Sequence, residues 1–187
     1  MTDLTRLSPA DRHYAVAGRF QEVADAVTDW DAQTPVAEWK AGDVVEHLVS
    51  WVPGFLEGGG VVLATVTGDT HSERFRDLTQ KIHGLLVGPD TPFSHPMVGD
   101  MPLSAAVDNM YTADVFMHTW DLARSQGVDP ELDPAYSAAL RTGLQSMGDA
   151  LRQSGQFGEA EVPVPPDAGE VDRLIGLIGR DPSWTPA

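Results

Sequence analysis

The stretch ADVFMHTWDLA, residues 113 to 123, constrains the fold more than any other. Val115, Phe116, Met117, Trp120, Leu122 and Ala123 spread around a helix and leave no wholly polar side to face water. Such a helix has to be enclosed by others. Yet it carries Asp114 and His118, four residues apart and therefore on one helical stripe. A lone buried carboxylate either protonates or finds a partner, and a metal ion is one partner that uses both side chains.

The rest of the chain supplies the enclosing helices. Ser8 as N-cap, Pro9 at the first helical position and Asp11 in the first turn predict a helix over about 9–28. After a break at Pro35, Val44, His47, Leu48, Trp51, Val52 and Phe55 recur at helical spacing, with Pro53 expected to kink or shorten the end. Phe75, Leu78, Ile82, Leu85 and Leu86 mark a third helix, stopped at Gly88-Pro89. The segment GPDTPFSHPMVGDMP, rich in Pro and Gly, reads as a long loop of the kind that lines functional sites. A long helix over about 103–126 follows, ended by Gly127. Another runs through Leu140, Leu144, Met147 and Leu151, and a Pro-rich connector leads to a short terminal helix, VDRLIGLIGR, within about 156–187. Strand alternation is nowhere sustained, VVLATV at 61–66 being the one ambiguous stretch. The expected fold is all-α: a four-helix bundle with a short C-terminal helix, one domain over 1–187.

Composition removes whole classes of function. Against 28 Asp and Glu stand 12 Lys and Arg, a formal charge of -16 that repels phosphate backbones and anionic membranes, so no nucleic-acid or membrane partner is expected. No apolar run has transmembrane length, and the start lacks the basic-then-apolar order of a signal peptide; a cytoplasmic protein is expected. With no cysteine, the chain has neither a thiolate zinc ligand nor a sulfur nucleophile of its own. Thiol chemistry here would use a thiol brought from outside. There is also no G-x-S-x-G elbow, phosphate loop or H-E-x-x-H pair.

Two of the six histidines, His47 and His118, sit centrally in strongly apolar helical segments. His47 shares a stripe with Val44 and Trp51 and is expected to face inward. His47, Asp114 and His118 thus make three candidate ligands, the number with which a catalytic zinc site leaves one position open. The spacing equally allows a hydrogen-bonded helical pair with no metal. DVVEH at 43–47 echoes DVFMH at 114–118, but Asp43 suits the first turn of its helix, where negative charge complements the dipole. Asp121, one turn after His118, can orient the imidazole as an outer acceptor, or pair with Arg124. His13, His71, His83 and His95 read as surface residues, with His95 alone, in the long loop, able to approach a pocket.

Two motifs resemble a known family. TPVAEWKAGDVVEHLVSW, with a Trp before the helix that carries the first histidine, and ADVFMHTWDLARSQG, a carboxylate, three residues, a histidine and a WDLA-type ending, resemble those of DinB-like metal-dependent proteins. The tail VPVPPDAGEVDRLIGLIGRDPSW resembles that of a branch related to the N-terminal domain of mycothiol-dependent maleylpyruvate isomerase. The resemblance covers most of the chain. It implies a DinB-like four-helix bundle and a divalent metal, zinc or nickel, held by His47, Asp114 and His118. Asp114 stands where the isomerase-like relatives have glutamate, one methylene longer. The isomerase's additional C-terminal domain is not expected in a chain of 187 residues.

The function this implies is activation of a low-molecular-weight thiol, mycothiol or bacillithiol, for S-transfer to a small electrophilic substrate or its isomerisation. Trp51, Tyr111, His95 and the 89–102 loop would wall the pocket. The alternatives are hydrolysis by metal-activated water, and a non-catalytic bundle that binds a metal or small ligand. Exposed faces of such bundles commonly support homodimers.

Overall fold

The computed structural model describes residues 3–148, 157–158 and 160–186. It is mostly helical with one small two-stranded sheet. A 3-10 turn, Leu4–Arg6, leads to α1 (Pro9–Asp25), which begins at Ser8, whose hydroxyl accepts from the Asp11 N–H, with Pro9 in the first turn. α2 (Ala41–Gly58) and α3 (His71–Leu86) follow. The first helix stops at Asp25, short of the expected 28, and Pro53 lies inside α2, which continues to Gly58.

Between α3 and the next helix the Pro- and Gly-rich stretch is not a simple loop. It forms an antiparallel hairpin of β1 (Pro92–His95) and β2 (Gly99–Pro102), with Phe93 opposite Met101. Too short for sustained alternation, the hairpin is held by its contact with the end of α2. Phe93 is buried and its ring occupies the space a Cβ at Gly59 would need, 2.0 Å from the nearest ring carbon. VVLATV forms no strand, with Val61, Leu63 and Val66 against the core and Val62 exposed.

The central helix is continuous but not uniform. A single α turn, Leu103–Ala106, passes through a π-helical stretch, Val107–Thr112, into α4 (Ala113–Ser125). The guanidinium of Arg12 on α1 grips Asp108 in the π stretch through Nε and Nη2, at 2.9 and 3.0 Å. Gly127, at φ +70, closes α4 by sending the Val128 N–H back to the Ala123 carbonyl. α5 (Pro134–Ser146) and α6 (Glu170–Leu177) complete the described chain and pack on each other. Leu151, expected on the fifth helix, lies outside the described residues.

α1 packs on α3 and α4, and α2 packs on the same two. The core fills the space among them, with Phe20, Leu48, Leu56, Phe75, Leu78, Tyr111 and Trp120 all buried. As its composition required, α4 is enclosed nearly all round. No helix among the described residues is long and apolar enough to cross a membrane.

One histidine is far from where the sequence placed it. His13, expected at the surface, is 1% exposed, because its face of α1 packs against the π stretch. Its Nδ1 lies 3.0 Å from the Thr112 hydroxyl. Burial, helped by the nearby His83, pushes its pKa down from 6.5 to about 4. Between those values the unfolded chain binds a proton on His13 that the folded chain excludes. Its contribution to stability is therefore complete above pH 6.5 and lost as pH falls towards 4, by about 3 kcal/mol at most. Urea unfolding at pH 7 and pH 4.5 checks this: His13→Gln should show a smaller drop between the two than the unmodified protein.

Candidate metal centre

The site lies where α2 meets α4. On α2 Asp43 lies in the first turn, as expected, and its carboxylate also caps the helix start by accepting the Lys40 N–H at 2.8 Å. Periodicity then turns His47 and Trp51 towards α4. Along the π stretch and α4 the cavity-lining stripe is 109/110, 113/114 and 117/118, and the wider π turn keeps Asn109 and Met110 on the same cavity face as Asp114 and His118. π turns inside α-helices recur at functional sites.

Asp114 is the hub. One carboxylate oxygen lies 3.0 Å from the Nε2 of His47 and accepts the indole N–H of Trp51 at 3.0 Å. The other lies 3.4 Å from the Nε2 of His118. Burial pushes the Asp114 carboxyl up, but His118, His47 and Trp51 together outweigh it and hold it below the usual carboxylate value. Behind His118, its Nδ1 faces the carboxylate of Asp121 at 2.9 Å, so Nε2 is aimed at the site. Burial likewise raises Asp121, and the Arg180 guanidinium with His118 reverses the shift.

One ligand atom from each of His47, Asp114 and His118 lies within 4.8 Å of the others, the one such His and carboxylate group among the described residues. Two imidazole nitrogens and a carboxylate oxygen are the donor set that suits borderline divalent cations, so this group can hold a metal ion. The side chains are unequally covered: His118 is 6% exposed, Asp114 21% and His47 33%. The cluster is closed on the α4 side and open over His47.

All three residues line a cavity of about 1060 Å³. Trp51 and His95, the pocket residues expected from the sequence beside Tyr111, are among its lining residues. His95 comes from the hairpin, stacked near Phe93 and Phe55, and its Nδ1 accepts the Met97 N–H. Tyr111, expected in the pocket wall, does not line the cavity: it is fully buried behind Trp51, edge-on at 5.7 Å. Its position in the π stretch turns it inward, and burial raises its pKa well above the ordinary value. Two residues not foreseen complete the site. Trp39 stacks on His118 at 5.6 Å and leans on His47 at 5.1 Å. Arg180, far along the chain, reaches Asp121 and the cavity. Trp39 could have been anticipated from its place just before α2; nothing local marked Arg180.

No family model, curated protein or solved structure matches this chain.

A ligand set assembled from two helices ties metal binding to folding. A divalent cation at about 100 times its dissociation constant should add roughly 2.7 kcal/mol of stability. For a domain of this size that raises Tm by roughly 5–10 °C. Thermal melts with and without zinc or nickel should show this shift, and His118→Ala should abolish it.

Proposed function

We propose that the four long helices form a DinB-like bundle, and that the protein is a divalent-metal-dependent enzyme. It activates a low-molecular-weight thiol, mycothiol or a relative, for S-transfer to a small electrophile or its isomerisation. The observation that carries this is the convergence of His47, Asp114 and His118 within 4.8 Å on the wall of a cavity large enough for both reactants. Both family-like motifs lie on the helices that meet there, α2 and α4. The lack of cysteine leaves the nucleophile to come from outside.

Zinc or nickel suits this nitrogen and oxygen donor set. A cation held by these three residues supplies a Lewis acid that favours the thiolate of a thiol at neutral pH. The chain's own groups do the remaining work. Asp121 holds His118 by its Nδ1 and keeps Nε2 aimed inward. The Trp51 indole N–H fixes the Asp114 carboxylate, and Trp39 packs against the two imidazoles. His47, the most exposed of the three, marks the side from which reactants enter.

A second reading has an observation of its own. Asp114 already has an indole N–H and two imidazole nitrogens around it, so its need for partners is met by protein groups alone. In that case the cluster is a structural network in a non-catalytic helical protein.

Elemental mass spectrometry of the purified, untagged protein separates the two. The metal reading expects about one zinc or nickel per chain, as one three-ligand site holds one cation, and its loss in His118→Ala. Thiol titration of the cobalt-loaded protein should then change its visible absorption. No metal even after reconstitution would leave the structural network. Metal without a thiol response would favour hydrolysis by activated water.

A further inference from the structure

Arg180 links the C-terminal segment to the ligand cluster. α6 ends in a tight reversal: the Gly179 N–H returns to the Gly176 carbonyl and the Arg180 N–H to the Ile175 carbonyl. Gly179 sits at φ +85, and a Cβ there would lie 2.8 Å from the Cα of Gly158. The two backbones therefore cross with no room for a side chain. This crossing turns Arg180 inward, where it is only 9% exposed.

Inside, the guanidinium lies along the far edge of Asp121. Its Nε donates to Oδ1 at 3.4 Å and its Nη2 to Oδ2 at 3.3 Å, while Nη1 donates to the Ile178 carbonyl at 3.1 Å. Asp121 Oδ2 is also the atom that faces His118 Nδ1 at 2.9 Å. A carboxylate free to rotate would let the imidazole swing; one gripped along its edge cannot. Arg180, Asp121 and His118 form a chain of contacts from the tail to the ligand cluster, and Arg180 and His118 also share the cavity wall.

We infer that Arg180 is a positioning residue: the turn at Gly179 presents it to Asp121, and through Asp121 it fixes the His118 imidazole for metal binding. The inference rests on the metal-holding reading of His47, Asp114 and His118, and it makes the C-terminal segment part of the centre.

Cobalt affinity of the full chain, measured by competition with a chromogenic chelator, tests it beside the visible spectrum of the bound cobalt and the melt of the metal-free protein. Arg180→Ala should weaken binding by about 10-fold or more and alter the cobalt spectrum, as changes behind a ligand do. Arg180→Lys, which restores the charge beside Asp121, should recover part of the loss. In an Asp121→Asn background, Arg180→Ala should change affinity by less than about 2-fold, because the two act in series. If Arg180→Ala does not fold, Arg180→Gln carries the same comparisons. A variant that melts earlier but binds cobalt with unchanged affinity and spectrum overturns the role and leaves Arg180 as packing. Full, additive losses in the Asp121→Asn background overturn the route through Asp121. Failure of the unmodified protein to take up cobalt overturns the inference together with the metal reading, and uptake by the unmodified protein tells the two failures apart.

Discussion

A carboxylate on an enclosed helix is the constraint on which the rest depends. Asp114 cannot be covered by α2 unless something answers its charge, since an unpaired buried carboxylate costs far more than one apolar contact returns. The answers come from both helices: His118 one turn along α4, and His47 with Trp51 across the contact. The polar cluster and the α2–α4 packing are therefore one feature. Apolar residues on the two helices bring them together, and the cluster sets which faces meet.

The same logic extends outward in layers. His118 needs an acceptor behind it and finds Asp121; Asp121 is buried and needs a cation, and finds Arg180. Each step passes the need for a partner to the next residue, until the guanidinium, itself back at the cavity wall, ends on a backbone carbonyl of the tail. On the other side of the core, Arg12 and Asp108 satisfy each other across α1 and the π stretch. Asp108 and Asp121 are thus each paired with a guanidinium from an element distant in sequence, which favours one packing arrangement over its neighbours.

What could be read from the sequence follows from how local each interaction is. Helix positions were legible because their apolar spacing and caps are local: Ser8 and Gly127 mark boundaries the structure keeps. Asp114 and His118 were legible as a pair because one helix sets both. His47 followed from its stripe with Val44 and Trp51. The hairpin was not, because its strands are held by Phe93 against Gly59 and not by alternation of their own. Nor was the π stretch, which has neither Pro nor Gly to announce it and whose register hid that His13 is buried and that Tyr111 points away from the cavity. Arg180 was out of reach because only the backbone crossing at Gly158 and Gly179 reveals where it points.

The short reach of Asp114 divides the labour between the two helices. With a single methylene between backbone and carboxylate, the oxygens stay close to α4, so both imidazoles have to come to them. His118 does so from the same helix, and its distance from Asp114 is a local property that Asp121 stiffens. His47 does so from α2, and its distance is set by how closely two helices pack. A small change in helix spacing moves His47 and Trp51 together while leaving Asp114 and His118 in place. His47 is also the most exposed of the three. Rigidity thus lies on the α4 side and adjustment on the α2 side, where the cavity opens, and a cation held here would have a fixed pair of donors behind it and its more adaptable donor towards the incoming ligand.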